Sequence, residues 1–225
     1  STLIGQLIRE FRAKGQTVAV LAVDPSSPFS KGAVLGDRIR YSEHFNDPKV
    51  FIRSIGSRGS LGGLSAGAYL MVRAFDLSRF DTVLVETVGV GQTELEIMNV
   101  ADFVSVVLVP ESGDSNQGMK AGLLEIADLF VVNKSDRPGA DGFMRELEAS
   151  LNLVSMDHSD QVRVHATSAS TGNGVGELVK IFEDVRKRGD WLKARVDASR
   201  LQSEARALLR ETYEREIDKK TSHIG

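Results

Sequence analysis

Six short runs of apolar, largely β-branched residues recur along the chain and alternate with stretches of helical periodicity. Near-continuous apolar strands that alternate with helices indicate a mostly parallel, doubly wound α/β sheet with helices on both faces. Ligands of such sheets bind beyond the carboxyl ends of the strands. The predicted strands are residues 17–23, 50–52, 82–85, 103–109, 129–132 and 161–165. The predicted helices are residues 1–14, 60–77, 93–100, 115–127 and 142–151, with two further helical stretches after Gly174.

The segment Asn133–Asp136, with the sequence Asn-Lys-Ser-Asp, directly follows the fifth run. A strand that ends in Asn-Lys-x-Asp is typical of P-loop proteins that select guanine, because the aspartate accepts from two N–H groups that adenine does not offer in that pattern. We expect Asp136 to make these contacts, Asn133 to contact the other edge of the base, and the stem of Lys134 to cover the ring. A polar turn after a strand explains the same four residues equally well, so this motif alone does not decide the function.

Two further motifs stand in the order that a GTPase requires. Glu86–Gly89, with the sequence Glu-Thr-Val-Gly, ends the third run and lies upstream of the guanine motif. Thr167–Ala169, with the sequence Thr-Ser-Ala, follows the sixth run and lies downstream of it. Three motifs at three strand ends predict a P-loop GTPase with GTP and GDP as ligands.

Acidic residues also stand at strand ends, where a magnesium site needs them. Asp24 ends the first run, Glu86 ends the third, and Asp37 lies in a loop rich in glycine and serine. Mg²⁺ takes one or two carboxylates, phosphate oxygens and a hydroxyl, for which Ser1 is the candidate. The alternative explanation for Asp24 and Glu86 is that each caps a helix or closes a turn after its strand.

Gly89 and Gln92 are the candidates for the hydrolytic step. Gly89 follows Glu86 by three residues, a spacing at which its N–H can meet the γ-phosphate, and Gln92 is a candidate to orient the attacking water. Gln92 does not directly follow Gly89, so a polar residue at the entry of a helix explains it at least as well.

Composition narrows the class of partner. The 225 residues are 41% hydrophobic and 26% charged, with a net charge of −3, which favours neither nucleic acid nor a membrane as the main partner. No apolar run approaches the length of a membrane span. The absence of cysteine excludes disulfides and thiolate metal sites and fits a cytoplasmic location. Four scattered histidines lack the spacing of metal ligands.

The first residues lead directly into a helix whose apolar face carries Leu3, Leu7 and Phe11. A P-loop ends in Gly-Lys-Ser or Gly-Lys-Thr where its helix begins. We therefore predict that the sequence is a fragment that starts just after the P-loop lysine, with Ser1 and Thr2 as the remaining nucleotide contacts of that loop.

Five segments of the sequence resemble the MeaB/ArgK/MMAA family, which are P-loop GTPases that act as chaperones of methylmalonyl-CoA mutase. These segments are Val23–Pro28, Gly36–Arg38, Ser57–Gly59, Glu86–Gln92 and Glu111–Asp114. The resemblance runs from Ser1 to about Arg188. It implies a homodimeric GTPase that gates cobalamin loading and protects an adenosylcobalamin-dependent acyl-CoA mutase, in the cytoplasm or, in a eukaryote, in the mitochondrial matrix.

The resemblance also implies roles for individual residues. The residues that match the Mg²⁺ shell of the family are Ser1, Asp24, Asp37 and Glu86. Our candidates for catalytic residues are Asp37, Glu86, Gly89 and Gln92. The residues that match the guanine pocket of the family are Asn133, Lys134, Asp136, Ser168 and Ala169. The residues around Gln117–Lys120 match the switch through which the mutase senses the nucleotide, although an ordinary strand-to-helix connection explains their composition.

Two rival functions stay open, as does the role of the last residues. A nickel-delivery GTPase shares the fold but is expected to carry Cys or His ligands, and this chain has no cysteine. A GTP-sensing scaffold without significant turnover would differ only in the hydrolytic step. We expect a GTPase domain over residues 1–188 and a helical extension over 189–225 that packs on the domain, forms a dimer arm or stays solvated.

Overall fold

The computed structural model describes residues 2–24, 41–56, 64–87, 96–110, 126–154, 163–189 and 198–221. The strands are β1 (Val18–Asp24), β2 (Val50–Gly56), β3 (Thr82–Thr87), β4 (Ser105–Leu108), β5 (Leu129–Val132) and β6 (Arg163–Ala166). The helices are α1 (Thr2–Ala13), α2 (Ala66–Leu77), α3 (Ala140–Val154), α4 (Val175–Arg188) and α5 (Ala198–Thr221). Short 3₁₀ turns lie at Ser42–His44 and Ile97–Asn99.

The chain divides into two compact units. One comprises Ser1–Gly15 and Asp102–Trp191, and the other comprises Gln16–Ala101 and Leu192–Gly225. Within the described residues, each unit contains one three-stranded sheet in which every pairing is parallel. This architecture confirms the predicted α/β class. The expected division at residue 188 rests on the family resemblance and stays a prediction.

The sheet of the second unit has the order β2-β1-β3. Its central strand is buried over its whole apolar length, Val18–Val23, which is why the sequence there is a continuous apolar run rather than an alternating one. Helix α5 packs against α2, where Nη2 of Arg73 lies 2.5 Å from Oε2 of Glu204. Arg200 of α5 also donates to the carbonyl of Ala101.

The sheet of the first unit has the order β4-β5-β6. All four residues of β5 are buried, and Phe130 and Val132 pack with Leu147 and Leu151 of α3 in one apolar cluster. In the same unit, α1 packs against α4, and Nζ of Lys14 lies 2.6 Å from Oε2 of Glu183. The buried strand β5 and its contacts with α3 fix the position at which the residues after β5 begin.

Most predicted elements are confirmed, with shifted ends. The strand predicted at 103–109 begins only at Ser105, because Val104 N–H donates to the Asp128 carboxylate at 2.6 Å rather than to a neighbouring strand. Of the helix predicted over 93–100 the structure describes only residues 96–100, which contain a 3₁₀ turn at Ile97–Asn99, after which Ala101 N–H donates back to Ile97. The helix predicted over 115–127 lies almost entirely outside the described residues. Across the described ranges, no helix combines the length and the apolarity needed to cross a membrane.

Candidate nucleotide-binding site

Asn133 is the first residue after β5, and its side chain is tied to the loop that follows β6. Its Oδ1 accepts from the Ala169 N–H at 3.0 Å and from Oγ1 of Thr167 at 3.3 Å. Its own N–H donates to the carbonyl of Leu108 at 2.8 Å, which fixes the backbone at this point. With both lone pairs of Oδ1 engaged, the Nδ2 amino group is the part of this side chain that can donate to a ligand.

The loop Thr167–Ala169 is buried and continues the sheet. Thr167 and Ser168 are 0% and 1% exposed, which for polar residues requires hydrogen-bond partners. The N–H of Thr167 donates to the Val132 carbonyl at 2.8 Å, and the Thr167 carbonyl accepts from Ser135 N–H at 3.0 Å. The segments after β5 and after β6 are therefore one hydrogen-bonded assembly.

The N–H groups of Ser168 and Ala169 donate within the protein. Ser168 N–H donates to the Asn173 carbonyl at 2.9 Å, and Ala169 N–H donates to Asn133. The place of Ser168 and Ala169 in the guanine pocket, which the family resemblance implies, stays a prediction.

Lys134 has a backbone φ of +60°, one of two positive φ values among the described non-glycine residues. A non-glycine residue in this region costs about 1–2 kcal/mol, so the surroundings must compensate. The conformation turns the chain sharply after β5, so that Ser135 N–H reaches Thr167 and Arg137 N–H reaches the Lys134 carbonyl at 3.1 Å. The turn leaves Asp136 exposed before α3, where its carboxylate is accessible to a ligand.

Gly174 sets the shape of the loop between β6 and α4. Its φ is +74°, and a Cβ added there would lie 2.1 Å from the Ala166 carbonyl oxygen. The Gly174 carbonyl also accepts from Nε2 of His165 at 2.7 Å. Only glycine permits this close approach of the start of α4 to the end of β6.

Glu86 lies near the carboxyl end of β3 and is half-buried. Its Oε2 accepts from the hydroxyl of Tyr41, which is fully buried. In the parallel register Glu86 is paired with Ala22, two residues before Asp24. The ends of β1 and β3 are therefore neighbours, as the magnesium prediction requires.

Several predicted site residues lie outside the described part of the chain. These are Ser1, Asp37, Gly89, Gln92 and the switch residues Gln117–Lys120, together with the side chain of Asp24. Thr2 is exposed at the first position of α1. The residues that the structure describes contain no cluster of three His, Cys, Asp or Glu side chains suited to a metal, a finding that does not bear on the predicted shell because most of that shell is not among them.

Two contacts at the site were not predicted from the sequence. One is the Tyr41 hydroxyl on Glu86, and the other is Nε2 of Gln6 in α1, which donates to the Ala169 carbonyl at 3.1 Å. Both join residues far apart along the chain, and no local pattern marks them. The only signal at Gln6 is a polar residue beside the buried face of α1, between Leu3 and Leu7.

Comparisons with known proteins agree on one family. The family model described as "Methylmalonyl Co-A mutase-associated GTPase MeaB" matches residues 1–223. A provisionally named GTPase of Pyrococcus horikoshii is 48% identical over 190 residues, covering 83% of this chain and 60% of the relative. The mitochondrial methylmalonic aciduria type A homolog of Caenorhabditis elegans is 42% identical over 123 residues, covering 55% of this chain and 31% of that protein. The chain thus spans less than two thirds of the length of these relatives.

Two solved structures share the fold. A structure of an LAO/AO transport system kinase superposes with a TM-score of 0.63 and 25% identity, over 98% of this chain and 66% of that one. HypB from Helicobacter pylori in complex with nickel gives a TM-score of 0.59 at 14% identity, over 85% of this chain and 84% of that one. At that identity the second likeness shows the fold alone.

Proposed function

The chain belongs to the MeaB family of GTPases, and on that premise we propose that it binds and hydrolyses GTP and assists an adenosylcobalamin-dependent acyl-CoA mutase. The observation that carries the proposal is the hydrogen-bonded assembly of Asn133 with Thr167 and Ala169. This assembly holds the side-chain oxygen of Asn133 and leaves its amino group as the donor, and the exposed carboxylate of Asp136 follows three residues later. A purine with an oxo group and N–H donors on its edge requires one donor and one acceptor of these kinds.

In this proposal each residue of the guanine motif has a separate task. Asp136 accepts from the two N–H groups of the pyrimidine edge, and the Nδ2 group of Asn133 donates to the opposite edge. The stem of Lys134 covers the ring face. Ser168 and Ala169 shape the pocket behind the base. Adenine lacks the donor pattern that Asp136 requires, so the site discriminates between the two purines.

The residues at the other strand ends suit a hard cation. The Glu86 carboxylate, half-buried at the end of β3, supplies the oxygen chemistry that Mg²⁺ prefers, and β1 brings Asp24 to the neighbouring strand end. We assign Mg²⁺ to Asp24, Asp37 and Glu86 with a hydroxyl from Ser1, where the ion would neutralise phosphate charge. Through the ion, Asp37 and Glu86 take part in the hydrolytic step. Thr2 and the Gly89 N–H contact phosphate oxygens. Gln92 orients the attacking water.

The partner is proposed to be a mutase of the methylmalonyl-CoA type. The family description names that association, and the Caenorhabditis elegans relative is a methylmalonic aciduria type A homolog. Acting as a homodimer, the protein gates cobalamin loading and protects the mutase, in the cytoplasm or in the mitochondrial matrix of a eukaryote. Gln117 and Lys120, outside the described residues, transmit the nucleotide state.

The test is the GTPase rate of the full-length protein with and without methylmalonyl-CoA mutase. We expect the mutase to raise the rate of the unaltered protein. Gln117→Ala and Lys120→Ala should keep the intrinsic rate and lose the stimulation. A matched control is Lys180→Ala, on an exposed position of α4, which should keep both. Full stimulation of both switch variants would show that the segment is only a connector.

The same assay separates the rival functions. A scaffold that senses GTP without turnover would bind GTP but show no single-turnover hydrolysis, either alone or with the mutase. A nickel-delivery role is supported only by the fold that the chain shares with HypB, and the chain has no cysteine for such a site.

A further inference from the structure

Gln6 joins α1 to the loop that follows β6. Its Nε2 donates to the Ala169 carbonyl at 3.1 Å, a partly buried hydrogen bond between residues 163 positions apart. The helix that carries Gln6 is well anchored, because Leu7, Ile8 and Phe11 are buried and Lys14 pairs with Glu183 of α4. The donor is therefore presented from a rigid element.

Ala169 is held by hydrogen bonds at both of its backbone polar groups. Its N–H donates to Oδ1 of Asn133 at 3.0 Å, and its carbonyl accepts from Gln6. At 3% exposure, Ala169 has little access to water, so a carbonyl that lost Gln6 would have to move to regain a partner. Such a movement would carry the Ala169 N–H with it, away from Asn133.

We infer that Gln6 is a positioning residue for base recognition, acting through Ala169 on the amide of Asn133. This inference rests on the proposed guanine site. Because Oδ1 of Asn133 is held by Ala169 N–H and Thr167 Oγ1, the Nδ2 group is aimed at the base only while Ala169 stays in place. Helix α1 thereby sets the selectivity of a loop that is distant in sequence.

The route through Asn133 determines which ligands respond. Asn133 reads the edge of the base that guanine and hypoxanthine share, whereas Asp136 reads the N–H groups of the pyrimidine edge, of which hypoxanthine has one fewer. Loss of the Gln6 donor should therefore weaken GDP and IDP by the same factor. Adenine carries an amino group where guanine and hypoxanthine carry the oxo group that accepts from Asn133, so the affinity for ADP should not change.

The experiment measures dissociation constants for GDP, IDP and ADP in the full-length protein and in Gln6→Leu, which keeps the size of the side chain and removes the donor. We expect GDP and IDP to bind roughly three- to tenfold more weakly, the effect of one lost neutral hydrogen bond, with ADP unchanged. The matched control is Gln16→Leu, which removes the acceptor of the Thr82 hydroxyl at 2.8 Å in the other unit and should leave the GDP-to-ADP ratio unchanged.

A second measurement does not need nucleotide or the leucine variant. In Gln6→Glu, where the ionised side chain cannot donate, the Ala169 amide should exchange with deuterium faster than in the unaltered protein. Unchanged GDP affinity in folded Gln6→Leu, an equal loss of GDP and ADP, or unchanged exchange at Ala169 would each overturn the inference. An unaltered protein that binds GDP and ADP equally would instead refute the guanine site itself.

Discussion

The two sheets both carry polar residues at their carboxyl ends but hold them by different means. After β5 and β6, the groups that hydrogen bonds hold together are neutral, because the side-chain oxygen of Asn133 accepts from the Thr167 hydroxyl and from the Ala169 N–H, with the exposed Asp136 three residues further on. Near the end of β3 the group is a carboxylate, Glu86, held by the hydroxyl of Tyr41. In the proposed function, the neutral network sets the shape and the selectivity of the base site, whereas Glu86 contributes the charge that a cation requires.

The difference has a consequence for what mutations do. Changes in the neutral assembly should alter which nucleotide binds or whether the unit folds. Changes around Glu86 should alter the rate of hydrolysis and its dependence on metal. In the proposed function Glu86 holds Mg²⁺, and the ion neutralises charge that develops on the transferring phosphoryl group mainly in the transition state.

The largest expected effect is on folding, from Gly174→Ala. The new Cβ would meet the Ala166 carbonyl oxygen at 2.1 Å, in a conformation with φ of +74°. We expect the free energy of unfolding to fall by about 3 kcal/mol or more. The control is Gly172→Ala, where φ is +82° but nothing lies within 4 Å of the new Cβ, so only the backbone strain of about 1 kcal/mol should appear. Equal losses in urea unfolding would show that the close approach is not a constraint.

The next effect is on nucleotide choice, from Asp136→Asn. The amide replaces an acceptor by a donor, so GDP affinity should fall roughly 10- to 150-fold and xanthosine diphosphate should become the preferred ligand. Asp141→Asn, an exposed position in the first turn of α3, is the matched control and should change neither affinity. Competition binding with the two nucleotides measures the switch, and unchanged preference in Asp136→Asn would remove Asp136 from the base site.

A smaller effect is expected at the other strand end, from Tyr41→Phe. The buried ring is kept, but Glu86 loses a hydroxyl donor, which should lower the free energy of unfolding by roughly 1–2 kcal/mol. Tyr213→Phe, on a side chain that is 70% exposed, should have almost no effect. In Tyr41→Phe the Mg²⁺ concentration for half-maximal hydrolysis should also shift, while the selectivity for guanine stays constant. A change in the guanine selectivity of Tyr41→Phe would contradict the assignment of base selectivity to the residues after β5 and β6 and of metal dependence to Glu86.

The last effect is absent at neutral pH and appears only in alkali. Burial, with Glu96 and Glu204 nearby, raises the pKa of Tyr69 from 10.0 to about 12. Because the unfolded chain loses this proton first, the contribution of Tyr69 is complete below pH 10 and is lost as the pH rises towards 12. Denaturant unfolding across that range should show a shallower alkaline decline in Tyr69→Phe. If stability declines equally in Tyr69→Phe and in the unaltered protein, Tyr69 does not lie against α5, which carries Glu204.

Features that neighbouring residues determine could be predicted from the sequence, whereas contacts between residues distant along the chain could not. Strand β5 was predicted at its observed bounds, because a strand buried on both faces is a continuous apolar run, and the guanine motif follows it directly. The hydrogen bonds of Gln6 and Tyr41 span 163 and 45 residues and are properties of packing. At the 3₁₀ turn Ile97–Asn99, Ile97 and Val100 stand three residues apart, a spacing that 3₁₀ turns and α-helices share, so the pattern could not tell the two apart.

The central claim is that the assembly after β5 and β6 selects guanine. The most direct test is a competition measurement of GTP against ATP on the unaltered full-length protein at one Mg²⁺ concentration. We expect GTP to bind at least about 100-fold more tightly than ATP. A site whose acceptors pair with the N–H groups of guanine rejects a base that leaves those acceptors unpaired. Equal affinity for GTP and ATP would contradict the account.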